Sequence, residues 1–160
     1  MRILAIDPGN VESGYCILDS ETLRPLEFGK VPNAELERGL YLQYKVGHVV
    51  IEMIASYGMP VGREVFETCV EIGRLTVLAE LREIRTSYVF RKDEKLAICG
   101  SPKANDGTIR RALIDRFAEH DLRAGKGTKK KPDWFFGFRA DVWAAYAVGV
   151  TWADKEAGRW

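Results

Sequence analysis

The sequence predicts an α/β fold, a mixed five-stranded sheet flanked by helices, and three observations carry that expectation. Two apolar runs, Arg2 to Ile6 and Tyr15 to Leu18, flank a glycine-containing turn and form a hairpin candidate. The run His48 to Met53 holds a branched triplet, Val49-Val50-Ile51, as strands covered on both faces do, and this calls for a parallel neighbour with helices above and below. Helical periodicity then alternates with strand-like runs through a chain of 160 residues, a length that suits a single domain over residues 1–160 with a substantial core.

The first strand ends at Asp7-Pro8-Gly9-Asn10, so a carboxylate stands where a buried strand gives way to a turn. Burying an ionised carboxyl without partners is costly, so Asp7 calls for a metal ion, a backbone nest or solvent at the strand end. The plain alternative is turn chemistry alone, with Asp first and Pro second. Glu27 to Pro32 reads as a third, edge strand, because Pro32 removes a ladder donor. Asn33 to Lys45 carries Leu36, Leu40 and Tyr44 on one helical face, with Gly47 as its stop.

Glu52 emerges at the C-terminal end of the central strand, where open α/β sheets place their ligands. It converges on Asp7 if the two strands are neighbours; otherwise it surfaces and pairs with a base such as Arg63. Ala55 to Gly62 is a flexible connection containing Tyr57 and Met59. It leads to a long helix, Glu64 to Ile84, in which Phe66, Cys69, Val70, Gly73, Val77, Leu81 and Ile84 recur at helical spacing. That wide apolar arc is expected to pack on the sheet, with a dimer seam as the second option.

Ser87 to Phe90 is the fifth strand, and Arg91 to Leu96 reads as a helix start. After the break at Cys99-Gly100-Ser101-Pro102, helical periodicity resumes from Thr108 to His120 through Ile109, Leu113, Ile114 and Phe117. Gly125 to Pro132 has no apolar content and reads as a mobile loop, whose lysines screen phosphates or merely keep it soluble. Asp141 opens the alanine-rich run Val142 to Val150, a helix buried on more than one side. An acid in a first turn is often only a complement to the helix dipole, worth about 0.3 to 1 kcal/mol.

Composition narrows the function classes. Cys16, Cys69 and Cys99 share no metal-ligand spacing and are odd in number, which argues against a disulfide framework or a zinc site. No apolar run approaches the roughly 20 residues of a bilayer span, and the chain passes from Met1 straight into a strand, so a cytoplasmic protein is expected. Net charge is only +1, yet Arg82 to Arg139 holds 15 Lys/Arg against 8 Asp/Glu, and the remainder 9 against 15. A basic half beside an acidic half suits a polyanionic partner met by one face.

Acids at two strand ends and one helix start suit two-metal phosphodiester chemistry. Hard divalent ions take oxygen ligands, and two of them roughly 3.5 to 4 Å apart activate a water and stabilise a leaving oxygen. Carboxylates without metal would repel a phosphate.

Together, Arg2-Ile3-Leu4-Ala5-Ile6-Asp7-Pro8-Gly9 with Gly14, Val49-Val50-Ile51-Glu52, Lys95-Leu96-Ala97-Ile98-Cys99-Gly100 and Ala140-Asp141-Val142-Trp143-Ala144-Ala145 resemble the RuvC-type Holliday junction resolvases, in a compact, phage-like form. The resemblance spans nearly the whole chain and implies a ribonuclease H-like fold and a homodimer that nicks two strands of a four-way DNA junction symmetrically. It implies two divalent ions per active site, Mg²⁺ with Mn²⁺ as a substitute, held by Asp7, Glu52 and Asp141. Asp7 would bridge the ions, Glu52 would hold one and orient the water, and Asp141 would complete the other. Lys95 and nearby basic residues would contact DNA, so the DNA-binding candidates are Tyr57, Arg63, Lys95, Lys103, Lys129, Lys130 and Lys131.

Two positions depart from the family pattern. Phe138 stands where an additional acid or histidine is common, leaving Asp133 or Asp106 as a fourth ligand, or three acids alone. Ala55 stands where an aromatic wedge is usual, with Tyr57 two residues later as the candidate for unstacking the junction. Two other classes fit parts of the chain. The Asp-Pro-Gly turn also resembles the phosphate turn of actin-like ATPases and sugar kinases, which need two such domains. A non-catalytic junction-binding module would keep the basic balance without requiring three acids.

Overall fold

The computed structural model describes residues 1–160. The chain runs β1 (Arg2–Asp7), β2 (Glu12–Asp19), β3 (Pro25–Pro32), α1 (Asn33–Leu42), β4 (His48–Met53), α2 (Arg63–Leu81), β5 (Arg85–Phe90), α3 (Arg91–Cys99), α4 (Asp106–Phe117) and α5 (Ala140–Glu156). One five-stranded sheet has the order β3-β2-β1-β4-β5, with β1, β2 and β3 antiparallel and β4 and β5 parallel to β1. The mixed sheet expected from the sequence is therefore present.

Alternation along the strands sorts the apolar side chains into two layers. Ile3, Ala5, Cys16, Leu18, Val50 and Val89 pack with α4 and α5, whereas Leu4, Ile6, Tyr15, Ile17, Val49 and Ile51 pack with α1 and α2. Ile3 to Ile6 and Val49 to Ile51 are wholly buried, which is why both stretches read as unbroken apolar runs.

The first layer centres on α5. Phe117, Trp134, Phe135, Phe138, Trp143 and Tyr146 form an aromatic cluster, and the Tyr146 hydroxyl donates to the Leu23 carbonyl at 2.9 Å while accepting from Trp134 Nε1 at 3.1 Å. At its far end α5 is tied to α4 by a two-pronged ion pair, Arg116 Nη1 and Nη2 to Asp154 at 2.5 and 2.9 Å. Two glycines let α5 lie close on the sheet. A Cβ on Gly14 would fall 2.5 Å from the Asp141 carbonyl oxygen, and one on Gly149 would fall 3.0 Å from Ala5 Cβ.

Local departures from the sequence expectation have identifiable causes. Helix α1 stops at Leu42 rather than running to Lys45, because Tyr44 turns back over Gly39 and stacks on Tyr15 at 5.6 Å. Helix α4 starts at Asp106, capped by Asn105, whose side chain accepts the Thr108 N–H at 3.0 Å. The Gly125 to Pro132 stretch is not a free loop: Gly127 and Pro132 form a β-bridge, and Asp121 accepts the N–H groups of Lys126 and Gly127. Helix α2 buries Thr68, Glu71, Ile72, Leu75 and Ala79, so Phe66, Val70, Val77 and Leu81 face outward instead of filling the core. No helix is long and apolar enough to cross a membrane.

Gly149→Ala tests the close seating of α5. Overpacking costs about 1–3 kcal/mol, more than the roughly 1 kcal/mol that alanine gains in helix propensity, so the urea midpoint should fall. A midpoint at or above the parent's would mean that α5 can lift without cost.

Candidate active site

Asp7 lies two residues beyond Ala5, and Glu52 two beyond Val50, so each carboxylate leaves its strand on the α5 side of the sheet. The parallel register pairs Ala5 with Val50 and Ile6 with Ile51, which makes Asp7 and Glu52 neighbours at the strand ends. Helix α5 starts above this point, and Asp141 in its first turn reaches the same place. All three acids line one cavity of about 300 Å³, together with Arg91, Asp106, Ile109, Arg110 and Trp143. The alternative in which Glu52 surfaces against Arg63 is not what the structure shows. Arg63 pairs with Glu67 at 2.5 Å, and the base beside Glu52 is Arg91.

The turn after Asp7 is held as a unit. The Gly9 N–H donates to Ser13 Oγ (3.1 Å), Ser13 Oγ donates to Asn33 Oδ1 (2.7 Å), and Asn33 Nδ2 donates to the Gly9 carbonyl (2.9 Å). This closed ring of hydrogen bonds makes Asp7-Pro8-Gly9 more than turn chemistry, since it fixes where the strand, and with it the carboxylate, ends.

Charge is crowded here. Burial first, then the abutting Glu52 and next Asp141, push Asp7 up to about 7 against the opposing pull of Arg91. Burial first, then the charge of Glu94, push Glu52 up to about 7, again opposed by Arg91. Asp141 sits against Gly14 on β2, Asp7 ends β1 and Glu52 lies on β4, and β1 runs between β2 and β4, so Asp7 is the middle member. Asp141 is paired with Lys30 Nζ at 2.7 Å. Register accounts for that lysine: Asp7, Gly14 and Lys30 lie in one row across β1, β2 and β3, and Gly14 leaves the space through which Lys30 meets Asp141.

No three histidine, cysteine or carboxylate side chains close tightly around one point as a ready-made cage. The donor set nonetheless fits divalent cations. It is all oxygen, it crowds like charges against one another, and the basic side chains beside it are few: Arg91, Arg110 and the Lys30 that pairs with Asp141.

The other sequence candidates fall as follows. Tyr57, 67% exposed and at a positive φ of 49°, lines an adjoining cavity of about 340 Å³ whose walls also include Asp7, Glu52 and Arg91. Lys95 is half-buried on α3 outside the cavity, and Lys103, Lys129, Lys130 and Lys131 are exposed; none of these five forms an ion pair, in contrast to Arg63. Asp133 is not a fourth ligand: it is buried, and its carboxylate accepts the N–H groups of Glu119, His120, Asp121 and Trp134. Asp106 does line the cavity but is engaged by Arg91. Phe138 is packed among Phe28, Phe135, Trp143 and Tyr146, so its position turns into the core and not toward the acids.

Sequence reasoning missed Arg91, Glu94 and Lys30. Arg91 and Glu94 are spaced i, i+3, which reads equally well as an ordinary surface pair. Lys30 was hidden because its partner depends on sheet register.

No protein-family model matches the chain, and no curated protein sequence is similar enough to register. Solved structures do match. The Thermus thermophilus RuvC structure superposes at a TM-score of 0.70 with 16% identity, covering 99% of this chain and 97% of that one. T. thermophilus RuvC in complex with Holliday junction substrate superposes at 0.74 with 14% identity, covering 99% and 96%. The chain therefore has the RuvC-like, ribonuclease H-like fold that the resemblance of its motifs implies.

Proposed function

We propose that this protein is a divalent-metal-dependent endodeoxyribonuclease that resolves four-way DNA junctions, with residues 1–160 as one nuclease domain. The observation that carries this reading is the meeting of Asp7, Glu52 and Asp141 in one cavity of a fold that matches a RuvC bound to junction DNA. Asp7, Glu52 and Asp141 would hold two Mg²⁺ ions, or Mn²⁺ in their place; when bound, such ions generate a hydroxide-like nucleophile near neutral pH and neutralise charge on the leaving oxygen.

The chain's own groups do the rest. As the middle acid, Asp7 is the one suited to serve both ions. Glu52 lies on the far side of Asp7 from Asp141, and its carboxylate would orient the attacking water by accepting one of its hydrogens. Lys30, paired with Asp141 at 2.7 Å, holds it in place. The unpaired lysines, half-buried Lys95 and exposed Lys103 and Lys129 to Lys131, supply phosphate contacts, so binding should weaken steeply with salt. The free cysteines Cys16, Cys69 and Cys99 suit a cytoplasmic setting.

The outward stripe on α2 supports a homodimer. Phe66, Val70, Val77 and Leu81 are each more than half exposed, and nothing lies within 4 Å of where a Gly73 side chain would be, so the stripe is flat at its middle. A second copy laid across it would bury these side chains and give the two-fold symmetry that a four-way junction presents.

Three outcomes are expected. With a labelled synthetic four-way junction, a plain duplex and an RNA/DNA hybrid, cleavage in Mg²⁺ or Mn²⁺ should favour the junction and stop with chelator. Asp7→Asn, Glu52→Gln and Asp141→Asn should each lose at least about 100-fold in rate while still binding the junction, since even residues behind a metal ligand are worth 10–100-fold. Equal cleavage of all three substrates would favour a generic nuclease, and binding without any cleavage a junction-binding module.

The second outcome concerns stability. Asp7 and Glu52 sit above their ordinary values of 3.8 and 4.5 in the fold, so the folded state binds more protons than the unfolded one and their stabilising protonation is lost as pH rises from about 4 to about 7. In chelator at pH 8, Asp7→Asn should therefore melt above the wild type, with the gap narrowing as pH falls and closing only near pH 4. Mg²⁺ should raise the melting temperature of the wild type at pH 8 more than that of Asp7→Asn. A pH-independent gap, or equal metal responses, would count against cations at this site.

The third is that Val77→Asp converts a dimer to a monomer by light scattering. An unchanged mass would place the seam elsewhere.

A further inference from the structure

The wall that separates the acid-lined cavity from the cavity beside Tyr57 is made by Asp7, Glu52 and Arg91. Arg91 is the first residue of α3, and its guanidinium is held at two points. Nη1 donates to Glu94 Oε2 at 2.6 Å, and Nη2 donates to Asp106 Oδ1. It makes no other hydrogen bond, so the remaining N–H groups of a planar, always-charged fork are uncommitted beside the carboxylates.

Glu94 is an unusual anchor. It is 0% exposed, its second carboxylate oxygen has no hydrogen-bond partner, and it stands near Asp7 and Glu52. A third carboxylate buried beside two others works against the fold, and an ion pair kept only for stability would do as well with two apolar residues. What the pair does provide is a guanidinium that cannot swing away. The cavity's other arginine, Arg110, is differently occupied, with its guanidinium over the Trp143 ring at 5.3 Å.

We propose that Arg91 is a catalytic residue of this site, binding the non-bridging oxygens of the scissile phosphate, and that Glu94 and Asp106 are the positioning residues that aim it. This rests on the endonuclease reading above. In the reaction a water oxygen bonds to phosphorus and the P–O bond to one flanking deoxyribose breaks. The two fragments carry a phosphate and a hydroxyl, and one water proton ends in net on the leaving oxygen. Arg91 forms no covalent bond and keeps its protons. Its fork offers paired donors to oxygens that gain charge as the fifth P–O bond forms, where loss of one fixed donor typically costs about 100- to 1,000-fold in rate. It also answers the repulsion that three carboxylates would otherwise impose on an approaching diester.

The test is single-turnover junction cleavage in Mg²⁺, with junction Kd measured separately in chelator, for wild type, Arg91→Ala, Arg91→Lys and Glu94→Gln. Arg91→Ala should lose about 100-fold or more in rate with Kd changed less than about threefold, and added guanidinium ion should restore part of the loss. Arg91→Lys should recover only part, since lysine keeps the charge without the fork. Glu94→Gln should slow cleavage less than Arg91→Ala, again at nearly unchanged Kd. If Arg91→Ala has no cooperative melting transition, Arg91→Lys, which retains a cation for Glu94, carries the test through the same comparison of rate and Kd. A wild type that cuts no branched DNA overturns both readings. A wild type that cuts, alongside a folded Arg91 variant that cuts equally well or loses rate only in proportion to lost binding, overturns this one alone.

Discussion

The two-residue repeat of an extended strand is the constraint on which the site depends. β1 and β4 are covered on both faces, so their registers are locked by packing on either side, and the residue that follows each buried run has only one face to occupy. Asp7 and Glu52 share the parity of Ala5 and Val50, the residues that touch the α5 layer. A slip of one residue in β4 would carry Glu52 to the α1 and α2 side and leave a cavity with one strand-end acid. The small residues around α5 follow from the same requirement. Gly14 and Gly149 let the helix settle where its first turn overlooks the strand ends.

Collecting carboxylates in this way works against the stability of the fold. Asp7, Glu52 and Glu94 are each pushed toward neutral values by burial, and two basic side chains, Arg91 and Lys30, offset only part of the crowding. The rest of the molecule compensates with satisfied groups. Asp133 takes four backbone N–H groups, Asp154 takes two arginines, and the Tyr146 hydroxyl is both donor and acceptor inside an aromatic cluster. Unsatisfied charge is thus concentrated where cations and a polyanion would meet it, and polar groups elsewhere in the interior are mostly paired. The exceptions are few, and Glu71 on α2 is the clearest, with neither oxygen accepting a hydrogen bond and only a long ion pair to Arg74 at 3.9 Å to offset Glu37.

What the sequence revealed and what it hid divide along physical lines. Strand ends were legible because a branched apolar run followed by an acid and a turn is a local signal, so Asp7 and Glu52 could be named without knowing the sheet. Asp141 was legible only in their company. Arg91 and Glu94 were not, since an i, i+3 pair in an amphipathic helix looks the same over solvent as over an active-site wall, and only the packing of α3 on β5 and α5 separates the two cases. The α2 core face was misjudged for a related reason. Its buried side includes Thr68 and Glu71, which a hydrophobic pattern assigns to the surface, while Phe66, Val70, Val77 and Leu81 are apolar and exposed. Asp133 had the right chemistry for a ligand but was consumed by the backbone of the loop it organises.

The exposed stripe and the acid cavity are joined by one continuous segment. β4 delivers Glu52, the connection that follows carries Tyr57 in the left-handed region beside the cavity, and α2 then begins at Arg63 with the stripe along its outer side. Asn10, in the turn after Asp7, donates to Glu67 on the first turns of the same helix at 3.3 Å, so α2 is also fastened to the strand that supplies the middle acid. A helix of 19 residues is a rod of about 28 Å. In a dimer paired along α2, the spacing of the two cavities would therefore be set by rigid elements reaching from seam to carboxylate, with little loop in between. The symmetric cuts proposed above would demand a fixed distance of that kind, and the exposed apolar face of α2 would be a direct way for this chain to provide it.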